Sequence, residues 1–332
     1  MANCDKKNGE YKKRNVSDDE LWAALSVVFS SKSVNDTSYK FGFLKAIIDN
    51  LYNVDEDLKL TFDQLFSKFG EIYWNLVLKY GLHQKKVTKN NHKSAIEHVL
   101  QDAAEKHHIT EHIPYESLTD AMMIEISMKV KKNCKNHVVG ALFGDTQELF
   151  YSFSVKEEWI QINPRMYAFI CKHKVLIEKA NYYEWAKFLE KVNDEELTTR
   201  LLGKIDESSK RSNLACYRKI LYDEFESNRC FYCNKPLKEG KIEVDHFIPW
   251  SFIKDDKLWN LVLSCRRCNG NKKAKLPNVY YLTKIVDRNK TLLIDVHKPE
   301  MKNYRANKLL EIYDWAKVNG YEDEWKPQEM VL

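Results

Sequence analysis

Four cysteines in two Cys-x-x-Cys pairs, with a carboxylate and an imidazole between them, carry the clearest chemistry in this sequence. The pairs are Cys230 with Cys233 and Cys265 with Cys268. They are separated by 31 residues, and two such pairs suit one tetrahedral zinc ion, which binds thiolates at about 2.3 Å. Asp245 and His246 are adjacent within the bracketed segment. A carboxylate beside an imidazole in a zinc-braced fold indicates metal-assisted hydrolysis rather than a purely structural module.

The other cysteines show no pairing pattern, and we expect core residues or inert thiols. They are Cys4, Cys134, Cys171 and Cys216. In a large protein of a reducing compartment, paired cysteines are more often metal ligands than disulfides. Residues 1–15 are polar and lack a signal-peptide core, and the longest apolar stretch, residues 21–29, is far shorter than the ~20 residues of a membrane span. The sequence therefore predicts a cytoplasmic protein without a membrane partner.

The positive charge is concentrated around the cysteine motif. The chain has a net charge of +5, but residues 210–290 hold 18 Lys or Arg against 9 Asp or Glu. This segment thus carries +9 and the remainder −4. A local basic field favours phosphate binding, although a solvated lysine-rich surface explains the charge equally well.

A strand, a second strand and a helix are predicted around the motif. Residues 241–246 alternate apolar and polar side chains, so a short strand would present Asp245 and His246 to opposite sides. Pro249 cannot donate to a ladder and marks the end of that strand. Residues 258–268 bring the chain back, and a helix starting near Cys268 would place Asn269 and Lys272 one turn apart on one face.

These residues resemble the HNH nuclease motif. Asp245-His246, Asn260 and Asn269 match its Asp-His, Asn, Asn form, flanked by the zinc-binding cysteines that many members carry. The phrase at residues 251–256 and the spacing from His246 to the two asparagines also resemble the HNH domain of RNA-guided CRISPR effector nucleases, which lack the cysteine pairs. The resemblance covers residues 225–275.

The resemblance implies a ββα-metal active site in which each motif residue has a role. Asp245 and Asn269 would ligate a catalytic Mg²⁺ or Mn²⁺ ion, since carboxylate and amide oxygens suit hard cations. His246 would be the general base that activates water. Asn260 would stitch the loop and orient the histidine. Cys230, Cys233, Cys265 and Cys268 would hold a separate, structural zinc ion.

The basic side chains near the second cysteine pair are predicted to contact phosphates, and an ordinary charged surface is the alternative. They are Arg266, Arg267, Lys272 and Lys273.

The fold class predicted for the whole chain is α+β. A mainly α-helical N-terminal domain with a small β insertion precedes the zinc-braced nuclease domain and a short C-terminal extension. The predicted segments are a flexible lead at 1–17, a helical targeting or partner domain at 18–202, a linker at 203–213, the HNH domain at 214–290 and an extension that packs on the core at 291–332.

Periodicity places several elements within these segments. Thr61 is the predicted N-cap of a helix whose aromatic face either packs in the core or, as the less favoured alternative, stacks on bases. Alternating residues at 149–162 predict a hairpin. Helices are expected at 214–225 and 306–318, and a further hairpin at 280–296 that turns near Arg288-Asn289.

Three functions remain open at this stage. The first is a metal-dependent endonuclease acting on double-stranded DNA, as the effector of a bacterial anti-phage or restriction system. The second is a nuclease subunit that cuts only with an ATPase, helicase or sensor bound through residues 18–202. The third is a non-catalytic zinc adaptor that binds nucleic acid. An HNH module joined to a helical region is an architecture of defence systems, which is an analogy of architecture alone.

Overall fold

Two compact units make up the chain, residues 1–210 and residues 211–332. The computed structural model describes all residues except 1–5, 90–91, 210–213, 226–227, 239, 295–300, 302, 306, 322–323 and 329–332. Cys4 and the side chain of Cys216 lie outside the described part of the chain. Helices dominate the first unit and small sheets accompany helices in both, so the predicted α+β class is confirmed.

The first unit is mainly helical. Its helices are α1 (Asp18–Val28), α2 (Tyr39–Asp49), α3 (Phe62–Trp74), α4 (Ala95–Lys106), α5 (Asp120–Asp145), α6 (Pro164–Val192), α7 (Glu195–Thr198) and α8 (Leu201–Asp206). A π-helical turn, Asn75–Lys79, extends α3, and 3-10 turns occur at Leu51–Asn53 and Tyr115–Ser117.

Thr61 is the N-cap of helix α3, as predicted. The Thr61 hydroxyl accepts a hydrogen bond from the Gln64 backbone, and the Gln64 side chain accepts one from the Thr61 backbone, which forms a capping box. Phe62, Phe66 and Phe69 on its apolar face are fully buried. Core packing is therefore confirmed, and these rings are unavailable for base stacking.

A four-stranded antiparallel sheet completes the first unit. Its strands are β1 (Asn8–Gly9), β2 (Lys59–Thr61), β3 (Tyr151–Ser154) and β4 (Trp159–Ile162), in the order β1-β3-β4-β2. The hairpin of β3 and β4 confirms the prediction at 149–162. The prediction of a flexible lead is wrong for residues 8–9, because backbone bonds pair them with β3 and Lys6 forms an ion pair with Glu148.

The predicted linker begins inside the first unit. Its first residues belong to α8, and both Ser208 and Ser209 are buried. The Ser209 hydroxyl donates to Asp49 at 3.0 Å. The buried carboxylate of Asp49 thus holds Ser209 in place, although the polar composition of this segment is typical of a linker. Residues 210–213 lie outside the described residues.

That carboxylate belongs to a buried charged network. Lys45 and Asp49 are both fully buried and lie 3.0 Å apart, and the Lys45 ammonium also donates to Tyr182 at 2.8 Å. The Tyr182 hydroxyl donates in turn to Glu178 at 2.7 Å. Burial opposes the charge on Lys45, but Asp49 and Glu178 outweigh it and raise the pKa of the ammonium. Lys45 therefore stays charged inside the core and depends on its acidic partners.

Asp49→Ala is expected to destabilise the first unit by about 3–5 kcal/mol, because it leaves a buried ammonium short of its closest counter-charge. Chemical denaturation of the full chain measures this change. Asp57→Ala is the matched control, since Asp57 pairs with Lys59 at 3.3 Å on the surface, where a pair contributes less than about 1 kcal/mol. Equal effects of the two substitutions would contradict the prediction.

The second unit combines short strands with helices. Its helices are α9 (Ala215–Phe225), α10 (Trp250–Ile253), α11 (Arg266–Lys272), α12 (Val279–Ile294) and α13 (Lys308–Val318), and its strands are β5 (Ile242–His246), β6 (Leu261–Cys265), β7 (Leu276–Pro277) and β8 (Glu324–Trp325). The β5 and β6 strands are antiparallel, with Asp245 opposite Val262. Helices α9 and α13 confirm two predictions, and the predicted strand-strand-helix unit is formed by β5, β6 and α11.

The hairpin predicted at 280–296 is wrong, because α12 occupies most of this segment. Tyr281, Ile285 and Asn289 recur at helical spacing and are buried. Arg288 and Asn289 had the appearance of a turn. Instead both side chains donate to backbone carbonyls of residues 258–261, and Asn289 reaches Trp259 at 2.8 Å. These contacts anchor the segment that precedes β6.

Candidate active site and zinc centre

The four paired cysteines converge on one point of the second unit. Their Sγ atoms all lie within 4.8 Å of one another, and three of the four side chains are buried. The Sγ atoms of Cys233 and Cys265 are 3.9 Å apart. A tetrahedron with metal–sulfur distances of about 2.3 Å has edges of about 3.8 Å, so the cluster can hold zinc as the spacing predicted.

The cluster favours at least one thiolate. The Cys265 backbone N–H donates to the Cys230 sulfur at 3.4 Å. A hydrogen bond from Cys268, supported by backbone N–H groups, lowers the pKa of Cys230 to about 5, although burial opposes this. The same contact raises the pKa of Cys268, which holds its proton toward Cys230. A thiolate is the form that binds metal, and metal binding releases the remaining protons.

Helix α11 lies along β5 so that two of its side chains meet two of the strand. Glu243 and Asp245 point to the same face of β5, because side chains alternate along a strand. Asn269 donates from its amide nitrogen to Glu243 at 2.6 Å. One turn later, the Lys272 ammonium lies 3.0 Å from Asp245. The structure thereby brings Asp245 close to the helix that carries Asn269, and it adds Glu243 to the site. Glu243 lies two residues before Asp245, so the alternation of side chains along the strand would have indicated it.

Asp245 is buried and held from two sides. Its Oδ2 accepts a hydrogen bond from the Tyr232 hydroxyl at 2.6 Å. Burial, reinforced by the neighbouring Asp245 charge, raises the pKa of Tyr232 well above its usual range. The Tyr232 hydroxyl therefore stays protonated and is the donor of this hydrogen bond. The Lys272 ammonium is 3.2 Å from Oδ1 and 3.0 Å from Oδ2. No sequence pattern indicated Tyr232, which is 13 residues away along the chain.

Lys272 does not occupy the surface position predicted for it. Its side chain is fully buried, and the ammonium donates to the His246 carbonyl at 2.7 Å as well as to Asp245. A phosphate cannot reach it there, so the predicted contact is corrected to a buried ion pair. Arg266, Arg267 and Lys273 are exposed, and Arg267 donates to Gln328 at 3.3 Å.

His246 lies on the other side of β5, against a second carboxylate. Its side chain is buried, and Nε2 is 2.5 Å from Asp256 Oδ1. The backbone of Asp256 is fixed in turn, since its N–H donates to Asp255 at 2.8 Å and its carbonyl accepts from Tyr217 at 2.9 Å. Asp256 was not among the predicted site residues, although it lies in the phrase at 251–256 that resembles other HNH domains.

Asn260 closes the loop that follows His246. Its side-chain oxygen accepts from the Ile248 backbone N–H at 2.8 Å, and its amide nitrogen donates to the Ile248 carbonyl at 2.9 Å. Its own carbonyl accepts from the Phe247 N–H at 2.7 Å. These three bonds tie the chain directly after the histidine to the turn that precedes β6.

A strand pair crossed by a helix, with a carboxylate and an imidazole at the end of the first strand, defines the ββα-metal class of nuclease fold. Residues 230–278 match a family model described as HNH endonuclease, and the chain therefore contains an HNH endonuclease domain. No curated protein and no solved structure matches the chain. Among the described residues, no helix has the length and apolar character needed to cross a membrane.

Proposed function

We propose that this chain is a metal-dependent endonuclease that hydrolyses phosphodiester bonds of DNA. The observation that carries the proposal is the placement of Asp245 and His246 on opposite faces at the end of β5, where both are buried and each has its own side-chain partners. A structural zinc module needs only its cysteines. It has no need of a buried imidazole paired with a carboxylate, next to a second carboxylate that is itself buried.

The donor set near α11 suits a hard divalent ion. Asp245 and Asn269 are the proposed ligands, and Mg²⁺ or Mn²⁺ prefers such oxygen donors. Because the Asn269 amide nitrogen faces Glu243, its oxygen is presented on the opposite branch of the amide. A bound ion would stabilise the leaving oxygen and the charge that builds on the phosphate.

His246 is the proposed general base. With its Nε2 proton directed at Asp256, its Nδ1 lone pair is the one that accepts a proton from the attacking water. The Asp256 carboxylate then stabilises the imidazolium that forms. Asn260 has the proposed role of fixing the loop between these two residues, through its bonds to Ile248.

The exposed basic side chains are the proposed phosphate contacts. Arg266, Arg267 and Lys273 are carried by α11 and its C-terminal cap, in the segment with a net charge of +9. Guanidinium groups match phosphate geometry and release counterions on binding. Such contacts position a nucleic acid without reading its sequence.

The biological role that we propose is the effector of a bacterial anti-phage or restriction system in the cytoplasm. This role rests on the joining of an HNH domain to a separate helical unit, which is a likeness of architecture. Residues 18–202 would then recognise a target or bind an ATPase, helicase or sensor. Cleavage that appears only after such a partner is added would favour the assembled form of the enzyme.

Asp245→Ala is expected to abolish cleavage of supercoiled plasmid, because it removes the one carboxylate among the proposed ligands of the catalytic ion. Wild type should cut in Mg²⁺ or Mn²⁺ and not in EDTA, and parallel assays on linear duplex, single-stranded DNA and RNA define the substrate. Asp287→Ala is the matched control, since Asp287 is an exposed acid of the same unit paired with Lys290. Equal DNA binding by wild type and Asp245→Ala, with no cleavage by either under any assembly, would favour the zinc adaptor.

A further inference from the structure

The hydroxyl of Tyr232 connects the zinc centre to the buried carboxylate of Asp245. Tyr232 lies between Cys230 and Cys233, within the turn that zinc would close. Its side chain is 3% exposed, and its hydroxyl donates to Asp245 Oδ2 at 2.6 Å. The group that orients Asp245 therefore belongs to a zinc-binding turn and not to the strand that carries the carboxylate.

The second partner of Asp245 is also attached to the zinc centre. Lys272 follows Cys268 by four residues on α11, one helical turn away, and its ammonium lies 3.0 Å from Asp245 Oδ2. The turn that contains the first cysteine pair carries the Tyr232 hydroxyl, and the helix that contains Cys268 of the second pair carries the Lys272 ammonium. By holding the two cysteine pairs together, zinc would also hold the Tyr232 hydroxyl and the Lys272 ammonium in place beside Asp245.

The Tyr232 ring has little freedom to move. It contacts Trp325 at 5.1 Å and Tyr281 at 5.5 Å between ring centroids, both edge to face. The Tyr232 carbonyl accepts from the Tyr281 hydroxyl at 3.1 Å, and the preceding Phe231 N–H donates to the Leu263 carbonyl of β6 at 2.9 Å. The hydroxyl position is thus set by the turn and its packing.

Its acceptor distinguishes Tyr232 from other buried tyrosines of the unit. A buried hydroxyl needs a partner, and a backbone carbonyl is the ordinary solution. Tyr313 donates to the Pro277 carbonyl at 2.6 Å, and Tyr281 donates to that of Tyr232. Tyr232 donates instead to a buried charged group, and such a bond fixes a carboxylate more strongly than a bond between neutral groups.

We infer that Tyr232 is a positioning residue, through which the zinc-bound turn holds Asp245 in the orientation that binds the catalytic ion. The inference rests on the proposed function, because it takes Asp245 as a ligand of that ion. Without the hydroxyl, Asp245 Oδ2 loses one of the two side chains that fix it, and Lys272 is left to hold the carboxylate. Loss of a partner that orients a metal ligand weakens metal binding by about 10- to 100-fold.

Binding of Mn²⁺ to the full chain carrying zinc tests this inference. Electron paramagnetic resonance of free Mn²⁺ gives the affinity in wild type, Tyr232→Phe, Tyr313→Phe and Asp245→Ala. We expect Tyr232→Phe to bind about 10- to 100-fold more weakly, with zinc content unchanged by elemental analysis. Tyr313→Phe, which also loses a buried hydroxyl but not one on Asp245, should bind as wild type does. Saturating Mn²⁺ should restore cleavage to Tyr232→Phe.

The outcomes separate this inference from the proposed function. Wild-type Mn²⁺ affinity in Tyr232→Phe, together with loss of binding in Asp245→Ala, would overturn the role of Tyr232 and leave the proposed ion site standing. Wild-type affinity in Asp245→Ala would overturn the ion site itself. Loss of zinc from Tyr232→Phe would mark the hydroxyl as a requirement of the zinc fold, and it too would overturn a positioning role.

Discussion

His246→Ala is expected to slow DNA cleavage by about 10²- to 10⁴-fold, the usual contribution of a positioned general base. The imidazole lies 2.5 Å from Asp256 at the end of β5, and the alanine variant leaves water without a proton acceptor there. Initial rates of plasmid nicking at saturating Mg²⁺ measure the loss. The cleavage rate of Asp256→Asn should fall between those of wild type and His246→Ala, because the imidazole base remains but loses its charged partner.

A second histidine–carboxylate pair offers the matched control. His83 Nδ1 lies 2.8 Å from Glu97 in the first unit, so His83→Ala breaks a similar pair outside the HNH domain. We expect this variant to cut at the wild-type rate. Wild-type cutting by His246→Ala would refute the assignment of the base, while equal losses in both variants would indicate a general effect on folding.

Removal of zinc is expected to unfold the HNH domain while the first unit stays folded. The β5–β6 pair is a two-stranded sheet, which is marginal without support, and a structural zinc site contributes about 10–16 kcal/mol of apparent binding free energy. Hydrogen exchange with mass spectrometry should show that a thiol-competing zinc chelator, or Cys268→Ser, removes protection from peptides of residues 211–332.

Cys171→Ser serves as the control for the cysteine substitution. Cys171 is buried in α6 and lies outside the metal cluster, so any loss of protection should be confined to the first unit. Unchanged exchange of β5 and β6 after complete loss of zinc would contradict a structural role for the metal.

Local spacing explains why much of the site was predictable. A Cys-x-x-Cys turn directs both sulfurs to one point whatever surrounds it, and alternation along residues 241–246 separates Asp245 from His246. Capping at Thr61 is equally local, because the bonding side chains are three residues apart. In each case the residues concerned lie within three positions of each other in the sequence.

Contacts between distant residues account for the failures. The sequence placed Lys272 one turn from Asn269, but it did not indicate that the facing strand presents Asp245 to the ammonium. Arg288 and Asn289 have turn-like composition, and tertiary bonds to carbonyls near Trp259 hold them in a helix instead. Tyr232 was missed because its hydroxyl meets Asp245 only in the folded domain, where the first cysteine turn packs against β5.

The ammonium of Lys272 would make the folding of the domain independent of the proposed catalytic ion. A lone buried carboxylate is costly, and a fold that relied on Mg²⁺ to neutralise Asp245 would loosen each time the ion left. Lys272 supplies a permanent counter-charge from within the chain, 3.0 Å from Asp245. With zinc and the internal lysine to maintain the scaffold, the proposed catalytic ion would exchange with each turnover at no cost to the integrity of the protein.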